Sequence, residues 1–205
     1  MKKFELTAEF VTNVFGKKLF RIKALVAFGN VEKGELGGFI EKEDNLSHDG
    51  NAWVFGNAQV FGNARVYGNA QVSGDAWVYG NAWVFGNAQV YGNAQVSGDA
   101  LVSGNARVSG NARVSGDAWV YGNAQVSDDA DYAVVKGFGR CFRTTTFFRC
   151  KDKILRVQCG CFYGDLAQFR EIVKKTHGDS KYAKEYLAIA DLMELHFSDE
   201  CGGEQ

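Results

Sequence analysis

The side chains best suited to metal or thiol chemistry lie in the last third of the chain, where all five cysteines occur. A zinc site built from Cys141, Cys150, Cys159 and Cys161 is one possibility. These positions lack the Cys-x2–4-Cys pairs that structural zinc sites use. We therefore interpret the cysteines as small buried thiols and predict no metal. Their odd number indicates reduced thiols in a cytoplasmic setting.

Three histidines, His48, His177 and His196, are the candidate general bases. A histidine can deprotonate a substrate hydroxyl or amine, but catalysis also needs an orienting acid and a substrate-binding loop. The sequence shows neither beside any of the three. We predict that the protein is not an enzyme, that it has no catalytic residue, and that His48 has a surface or capping role.

The most charge-biased segment, residues 140–156, has six basic residues and one acid, Asp152. Its basic and aromatic side chains are the predicted partner-binding residues: Arg140, Arg143, Phe147, Phe148, Arg149, Lys151, Lys153 and Arg156. Basic residues interleaved with exposed or half-exposed aromatics suit an acidic protein or a phosphate-bearing partner such as a nucleotide or nucleic acid. An ordinary solvated strand face is the alternative interpretation.

The element that must position these groups is a repeat. Thirteen six-residue units of the form Gly-(Asn/Asp)-Ala-x-Val-x run from Gly50 to Ser127 without an insertion. Alternate residues of a strand point to opposite faces, so Ala and Val should point inward. Gly, together with an Asn or Asp that tolerates left-handed backbone angles, should form the corner. Three units close one triangular coil, and this period predicts a parallel β-helix.

The 18-residue coil also predicts which outward side chains stack. The first column begins at Trp53 and the second at Gln59, whereas the third contains Arg65, Trp83, Leu101 and Trp119. The third column and its neighbours form the most apolar face, which predicts self-association into a homodimer or homotrimer. The predicted contact residues are Tyr67, Trp83, Phe85, Leu101, Trp119 and Tyr121. Stacking of aromatic side chains along the face, without an interface, is the alternative.

Before the repeats, Ile40 and Leu46 have the hexad spacing, but the eight residues from Leu46 to Val54 predict a bulge near Ser47–Asp49.

The predicted class is mainly β, in three segments: residues 1–49, an N-terminal β cap with an irregular first coil; residues 50–132, the β-helix; and residues 133–205, a ββαα domain. The net charge of −1 and 46% hydrophobic content exclude a highly charged tail, and no apolar run is long enough to span a membrane.

The thirteen hexads resemble the hexapeptide-repeat, left-handed β-helix family. The resemblance implies a left-handed prism filled by aliphatic and small side chains. Many members are acyltransferases that use acetyl-coenzyme A and a histidine base, so an acyltransferase acting through His48 is an alternative function. Our leading expectation includes no cofactor.

Residues 19–25 (LFRIKAL), 34–45 (GELGGFIEKEDN) and 145–151 (TTFFRCK) are similar to phage and prophage proteins often labelled polymer-forming cytoskeletal. The label implies filaments, but non-repeat sequence at both ends argues against end-to-end polymerisation. We predict a phage-encoded interaction protein in the host cytoplasm. Its oligomeric scaffold would present a C-terminal head to a host protein, such as a defence protein that it inhibits. A protein that sequesters nucleotides or nucleic acid is a second function consistent with the sequence, and a structural fibre component is a third.

Overall fold

The structure, a computed structural model, describes residues 1–198 of the chain. It is mainly β and divides into two compact units, residues 1–129 and the part that follows from Ala130. The first unit is a parallel β-solenoid of about five turns that follows an N-terminal strand region. The second carries two helices. None of the helices within residues 1–198 is long and apolar enough to cross a membrane.

The solenoid consists of short parallel strands on three faces. Three longer strands come first: β1 (Phe4–Thr12), β2 (Lys18–Ala24) and β3 (Leu36–Ile40). Thirteen two-residue strands follow: β4 (Trp53–Val54), β5 (Gln59–Val60), β6 (Arg65–Val66), β7 (Gln71–Val72), β8 (Trp77–Val78), β9 (Trp83–Val84), β10 (Gln89–Val90), β11 (Gln95–Val96), β12 (Leu101–Val102), β13 (Arg107–Val108), β14 (Arg113–Val114), β15 (Trp119–Val120) and β16 (Gln125–Val126). Every third strand pairs, so each coil contributes one strand to each face.

The inward residues are those that the hexad predicts. The Ala and Val side chains of the repeat are buried, with Ala88 and Val90 fully inaccessible in one representative unit. The predicted columns are also confirmed, since Gln89 pairs with Gln71 and Arg107 on one face and Leu101 pairs with Trp83 on another. The strand pairing follows from the period, because residues 18 apart lie on successive coils.

The corner differs from the prediction in one respect. The repeat glycines adopt left-handed φ values, for example +67° at Gly98, whereas the Asn or Asp that follows does not. The second residue of the hexad instead bonds along the solenoid: the Asn69 amide donates to Asn87 Oδ1 one coil further on, at 3.1 Å. The preference for Asn therefore comes from this ladder and not from the backbone angles of the corner.

The first coil has the bulge that the spacing predicts. Ile40 pairs with Val60 and Leu46 bridges Val66, so these rungs are 20 residues apart instead of 18. Asn45 is fully buried beside them, and its amide donates to the carbonyls of Gly62 and Ala64 at 3.2 and 2.8 Å. An amide side chain thus satisfies backbone acceptors of the next coil where the repeat is interrupted.

The cap is an antiparallel extension of one solenoid face. β1 pairs with β2, β2 pairs with β3, and β3 continues in parallel onto β5 of the second face. Lys3, only 3% exposed, donates from Nζ to the carbonyl of Ala52 at 2.8 Å. The cap therefore satisfies polar groups at the start of the first coil, as well as covering its apolar side chains.

The second unit has four strands before its two helices, so the predicted ββαα order is wrong in its strand count. The elements are β17 (Tyr132–Phe138), β18 (Arg143–Arg149), β19 (Leu155–Cys159), β20 (Phe162–Asp165), α1 (Leu166–His177) and α2 (Lys181–Phe197). Glycine explains the error. Gly137, which suggests a break between domains in the sequence, has a positive φ inside β17, and Gly160, with φ +59°, makes a turn that divides the predicted second strand.

The helices begin where their capping residues predict. Asp165 accepts from the Gln168 backbone N–H at 2.8 Å, and Gln168 Oε1 accepts from the Asp165 N–H, which completes a capping box. Ser180 caps α2, and Gly178 ends α1. One face of the antiparallel sheet packs on both helices through Phe147, Val157, Phe169, Ala183, Tyr186, Ile189, Ala190 and Met193.

Candidate functional surfaces

The third face of the solenoid is the predicted self-association surface, and its aromatic side chains are accessible. Trp83, Trp119 and Tyr121 are 41%, 43% and 45% exposed. The Tyr67 and Phe85 rings stack in parallel one rung apart, with centroids 4.9 Å apart. The stacking expected of adjacent rungs is therefore present, and it leaves large apolar side chains exposed on this face.

The tryptophans on the other two faces are less exposed. Trp53, on the first face, is fully buried beneath Phe4 and Phe28 of the N-terminal region, with ring centroids 6.2 and 5.3 Å away. Trp77, on the second face, is half-buried against Phe15 at the tip of the β1–β2 hairpin, at 6.1 Å. The N-terminal region thus covers one tryptophan on each of two faces, while the two tryptophans of the third face stay about two-fifths exposed.

A cavity of about 560 Å³ lies at the N-terminal end of the third face, beside the first-coil bulge. Its lining combines the acidic Glu43, Asp44 and Asp49 with Arg65 and with the aromatic Tyr67 and Trp83. The Lys2 ammonium donates to Glu43 Oε1 at 2.6 Å, and this bond holds the pKa of Glu43 below its ordinary value. Residues 1–198 contain no cluster of His, Cys, Asp and Glu that could hold a metal ion.

His48 lines this cavity but is already engaged within the fold. Its Nδ1 accepts the backbone N–H of Lys3 at 3.2 Å, and its ring stacks on Phe4 with centroids 4.3 Å apart. Its second nitrogen, Nε2, lies 3.6 Å from the Glu43 carboxylate. The imidazole therefore joins the first residues of the chain to the bulge, which is the capping position expected for it.

The basic residues of the C-terminal unit do not form one patch. Arg140 lies in the β17–β18 turn and Arg143 begins β18, whereas Lys151 and Lys153 lie in the turn after the other end of β18. The seven-residue strand separates the two groups by about 20 Å. Arg156 belongs with the second group, because it donates to Asp152 in that turn at 2.7 Å. The sequence places these charges close together, but an extended strand spreads them along its length.

Phe147 and Phe148 are fully buried, so the expectation that they are exposed or half-exposed is wrong. Phe147 faces the helices and packs edge-on against Phe169, with centroids 6.1 Å apart. Phe148 points to the opposite side of the strand and stacks on Tyr163 at 6.4 Å. The aromatic side chains that are exposed in this sheet include Phe142, at 68% in the β17–β18 turn, and Phe138, at 43%. The sequence places Phe142 within the predicted strand, whereas in the structure it lies in the turn before β18.

Arg149 is engaged within the C-terminal unit. Its guanidinium donates to the Phe197 carbonyl at 2.9 Å, lies over the Phe197 ring, and is 3.8 Å from the Asp131 carboxylate. These contacts join β18 to the end of α2 and to the segment before β17. Arg149 therefore has a structural role that the sequence did not suggest.

The cysteines differ in their environments. Cys150 is buried, as predicted, and burial raises the pKa of its thiol. Cys141 and Cys161 are exposed and Cys159 is half-buried, so the prediction of small buried thiols is wrong for Cys141 and Cys161. Cys161 lies in the turn after β19 instead of on the strand. Cys201 falls outside the described residues.

Six overlapping segments of the solenoid, all between residues 58 and 122, match one family. It is the YdcK beta solenoid repeat. The matched part is less than half of the chain and lies within the block of perfect hexads. The comparison with curated proteins returns no match to this chain. The match is therefore to the repeats of the solenoid, and the cap and C-terminal unit lie outside it.

Proposed function

We propose that this protein is a non-enzymatic binding scaffold, which self-associates through its third face and presents its C-terminal unit to a partner. One observation carries the proposal. The N-terminal region covers Trp53 and packs against Trp77, but Trp83 and Trp119 remain about two-fifths exposed. Monomeric proteins rarely expose large contiguous apolar patches, so such a surface favours an interface.

The geometry of the face suits a second copy of the same chain. Trp83, Leu101 and Trp119 occupy successive rungs, and the Tyr67 and Phe85 rings are stacked beside them. A row of this kind is self-complementary under a two-fold rotation, which would place each aromatic column against its copy. Buried aromatic anchors commonly dominate the energy of such contacts. A homodimer is therefore the expected assembly, and a homotrimer is the alternative.

The C-terminal unit is the proposed partner-binding part because its exposed groups are varied and directional. The solenoid surface repeats a few residue types every 18 residues, whereas Arg140, Phe142, Arg143 and Lys151 combine exposed cationic groups of two shapes with an exposed aromatic ring. Recognition of one partner needs such differences. The similarity to phage proteins adds a proposed partner class, a host protein with an acidic surface.

The proposal is tested by measuring the molar mass of the full chain by light scattering at micromolar concentration. We expect an oligomer for the wild type and a folded monomer for a Trp83→Glu/Trp119→Glu variant. The matched control is Gln89→Glu/Gln125→Glu, whose two positions are likewise separated by one rung, with Arg107 between them. This control should keep the wild-type mass. A monomeric wild type, or an oligomer that survives the double tryptophan change, would contradict self-association through this face.

A further inference from the structure

A cavity of about 350 Å³ opens within the C-terminal unit. The apolar side chains that line it include Phe162 from β20 and Phe169, Ile172 and Val173 from α1. Its volume is at the lower end of the range for pockets that bind small molecules, and an apolar lining is typical of them. The cavity is therefore suited to the apolar body of a small ligand.

The charged side chains that line this cavity are arginines. Arg140 and Arg143 line it from the β17–β18 side, and His177 lines it from the end of α1. None of the described residues that line it is acidic. Two guanidinium groups beside an apolar surface attract an anion, and each can hold a carboxylate or a phosphate through paired N–H donors.

The turn that carries Arg140 is held in place from below. The Gly139 backbone N–H donates to Glu185 Oε2 at 2.9 Å, and the Tyr186 hydroxyl donates to the Phe138 carbonyl at 3.4 Å. A Cβ at Gly139 would collide with the Tyr186 hydroxyl oxygen, so the backbone of the turn rests directly on α2. A turn fixed in this way loses little conformational entropy when a ligand binds.

The same turn stores backbone strain. Phe142 has a φ of +50°, in the left-handed region that aromatic residues seldom adopt, and its ring is mostly exposed. Strained residues of this kind cluster at binding sites and active sites, where the surrounding structure holds them. Arg143, the next residue, packs its guanidinium against Gly160 of the β19–β20 turn. Two adjoining turns thus hold Arg143 at the cavity.

We infer that this cavity binds a small organic anion, whose carboxylate or phosphate contacts Arg140 and Arg143 and whose apolar body packs on Phe162, Phe169 and Val173. The inference rests on the proposed function only in taking the C-terminal unit as the binding part, and it does not require self-association. It assigns the unit a small-molecule ligand in addition to a protein partner.

The test is isothermal titration of the full chain with three matched probes. 4-Phenylbutyrate and phenyl phosphate have an anion on an apolar body, and 4-phenylbutanamide is the neutral counterpart of the first. We expect saturable binding of at least one anionic probe at millimolar concentration, and about tenfold weaker binding of the amide, because a charge-assisted bond to arginine is lost. The stronger of the two anions identifies a carboxylate or a phosphate as the natural group.

Variants locate the site. Arg143→Met and, separately, Arg140→Met should each weaken binding of the anionic probe about tenfold. Lys151→Met, at the far end of β18, is the control and should leave the affinity unchanged. Near-ultraviolet circular dichroism confirms that each variant is folded, and Arg140→Met serves alone if Arg143→Met does not fold. Absence of binding by both anions, equal affinity for acid and amide, or an equal effect of Lys151→Met would each overturn the inference.

The same titration on the Trp83→Glu/Trp119→Glu variant separates the two proposals. If the wild type is an oligomer and the monomeric variant still binds the anion, both proposals are supported. Anion binding by a wild type that is itself monomeric supports the site and contradicts the self-association. An oligomeric wild type that binds neither anion overturns the site alone.

Discussion

The side-chain amide of Asn87 donates a 3.0 Å hydrogen bond to Oδ1 of Asn105, which lies one coil further along the solenoid. Asn87 in turn accepts from Asn69, and Asn105 donates to Asn123, so one corner carries a continuous ladder of amides. Asparagine can be donor and acceptor at once, whereas an ionised aspartate only accepts. Asp75 and Asp99, in the other two corner columns, accept from Asn57 and Asn81 but cannot donate onward, so an aspartate interrupts its ladder.

This ladder leads to a prediction about stability. Asn87→Asp removes the donor to Asn105 and places a carboxylate against its Oδ1, so we expect the free energy of unfolding to fall by about 1 kcal/mol. Asn111→Asp is the control, because Asn111 accepts from Asn93 at 3.2 Å at the end of its own pair. The control should be nearly neutral. Chemical denaturation measures both, and equal losses would refute the directional ladder.

Two repeat glycines with nearly the same φ allow the cost of backbone strain to be measured apart from the cost of steric overlap. Gly98 has φ +67°, and a Cβ there would lie 2.8 Å from the backbone nitrogen of Gly116 on the next coil. Gly116 has φ +66° and would meet nothing within 4 Å. Gly116→Ala should cost about 1–2 kcal/mol from the left-handed conformation alone. Gly98→Ala should cost at least about 1 kcal/mol more, because it also overpacks the stack.

Thermal or urea unfolding of these two variants provides the measurement. An equal loss at both positions would mean that the coils shift apart without cost, and would remove the steric reason for glycine at the repeat corner.

The buried ammonium of Lys3 should make the free energy of unfolding depend on pH. Burial lowers the pKa of this ammonium to about 8, from an ordinary value of 10.5. Between these two values the unfolded chain binds more protons than the folded chain, so the contribution of Lys3 to the free energy of unfolding rises with pH. Below pH 8 both states hold the proton, and the contribution is constant.

The comparison is between the wild type and Lys3→Met. The difference in free energy of unfolding, wild type minus variant, should be flat below pH 8 and grow from there towards pH 10.5. The slope for a single proton is at most about 1.4 kcal/mol per pH unit. Urea denaturation at several pH values measures it. A difference that stays constant or shrinks over that interval would show that the ammonium is not desolvated in the folded protein.

Arg149 is predicted to affect folding more than partner binding. Arg149→Met removes the charge-assisted bond to the Phe197 carbonyl and the ion pair with Asp131, so the free energy of unfolding should fall by about 1–3 kcal/mol. Lys151→Met, an exposed change two residues away, should stay within about 0.5 kcal/mol of the wild type. Equal stability of the two variants would return Arg149 to the set of partner-binding candidates.

Much of the solenoid was predictable because its geometry is local. Strand alternation turns Ala88 and Val90 inward, and the 18-residue coil puts Gln89 beside Arg107, without knowledge of any distant contact. The bulge near His48 could be predicted by the same count, since two extra residues must leave the register. The start of α1 could also be predicted, because the capping box of Asp165 and Gln168 lies within four residues.

The sequence by itself thus determined the repeat, its inward residues and its outward columns, because each depends on the period of a strand and the reach of a corner. Only the tertiary structure decided which columns stay exposed: Phe4 and Phe28 cover Trp53 from the non-repeating N-terminal region, where no period applies. It also decided that Phe148 is buried and Arg149 engaged, since burial on a strand depends on which elements pack against each face. Those contacts join residues far apart in the chain, so the local spacing of residues does not predict them.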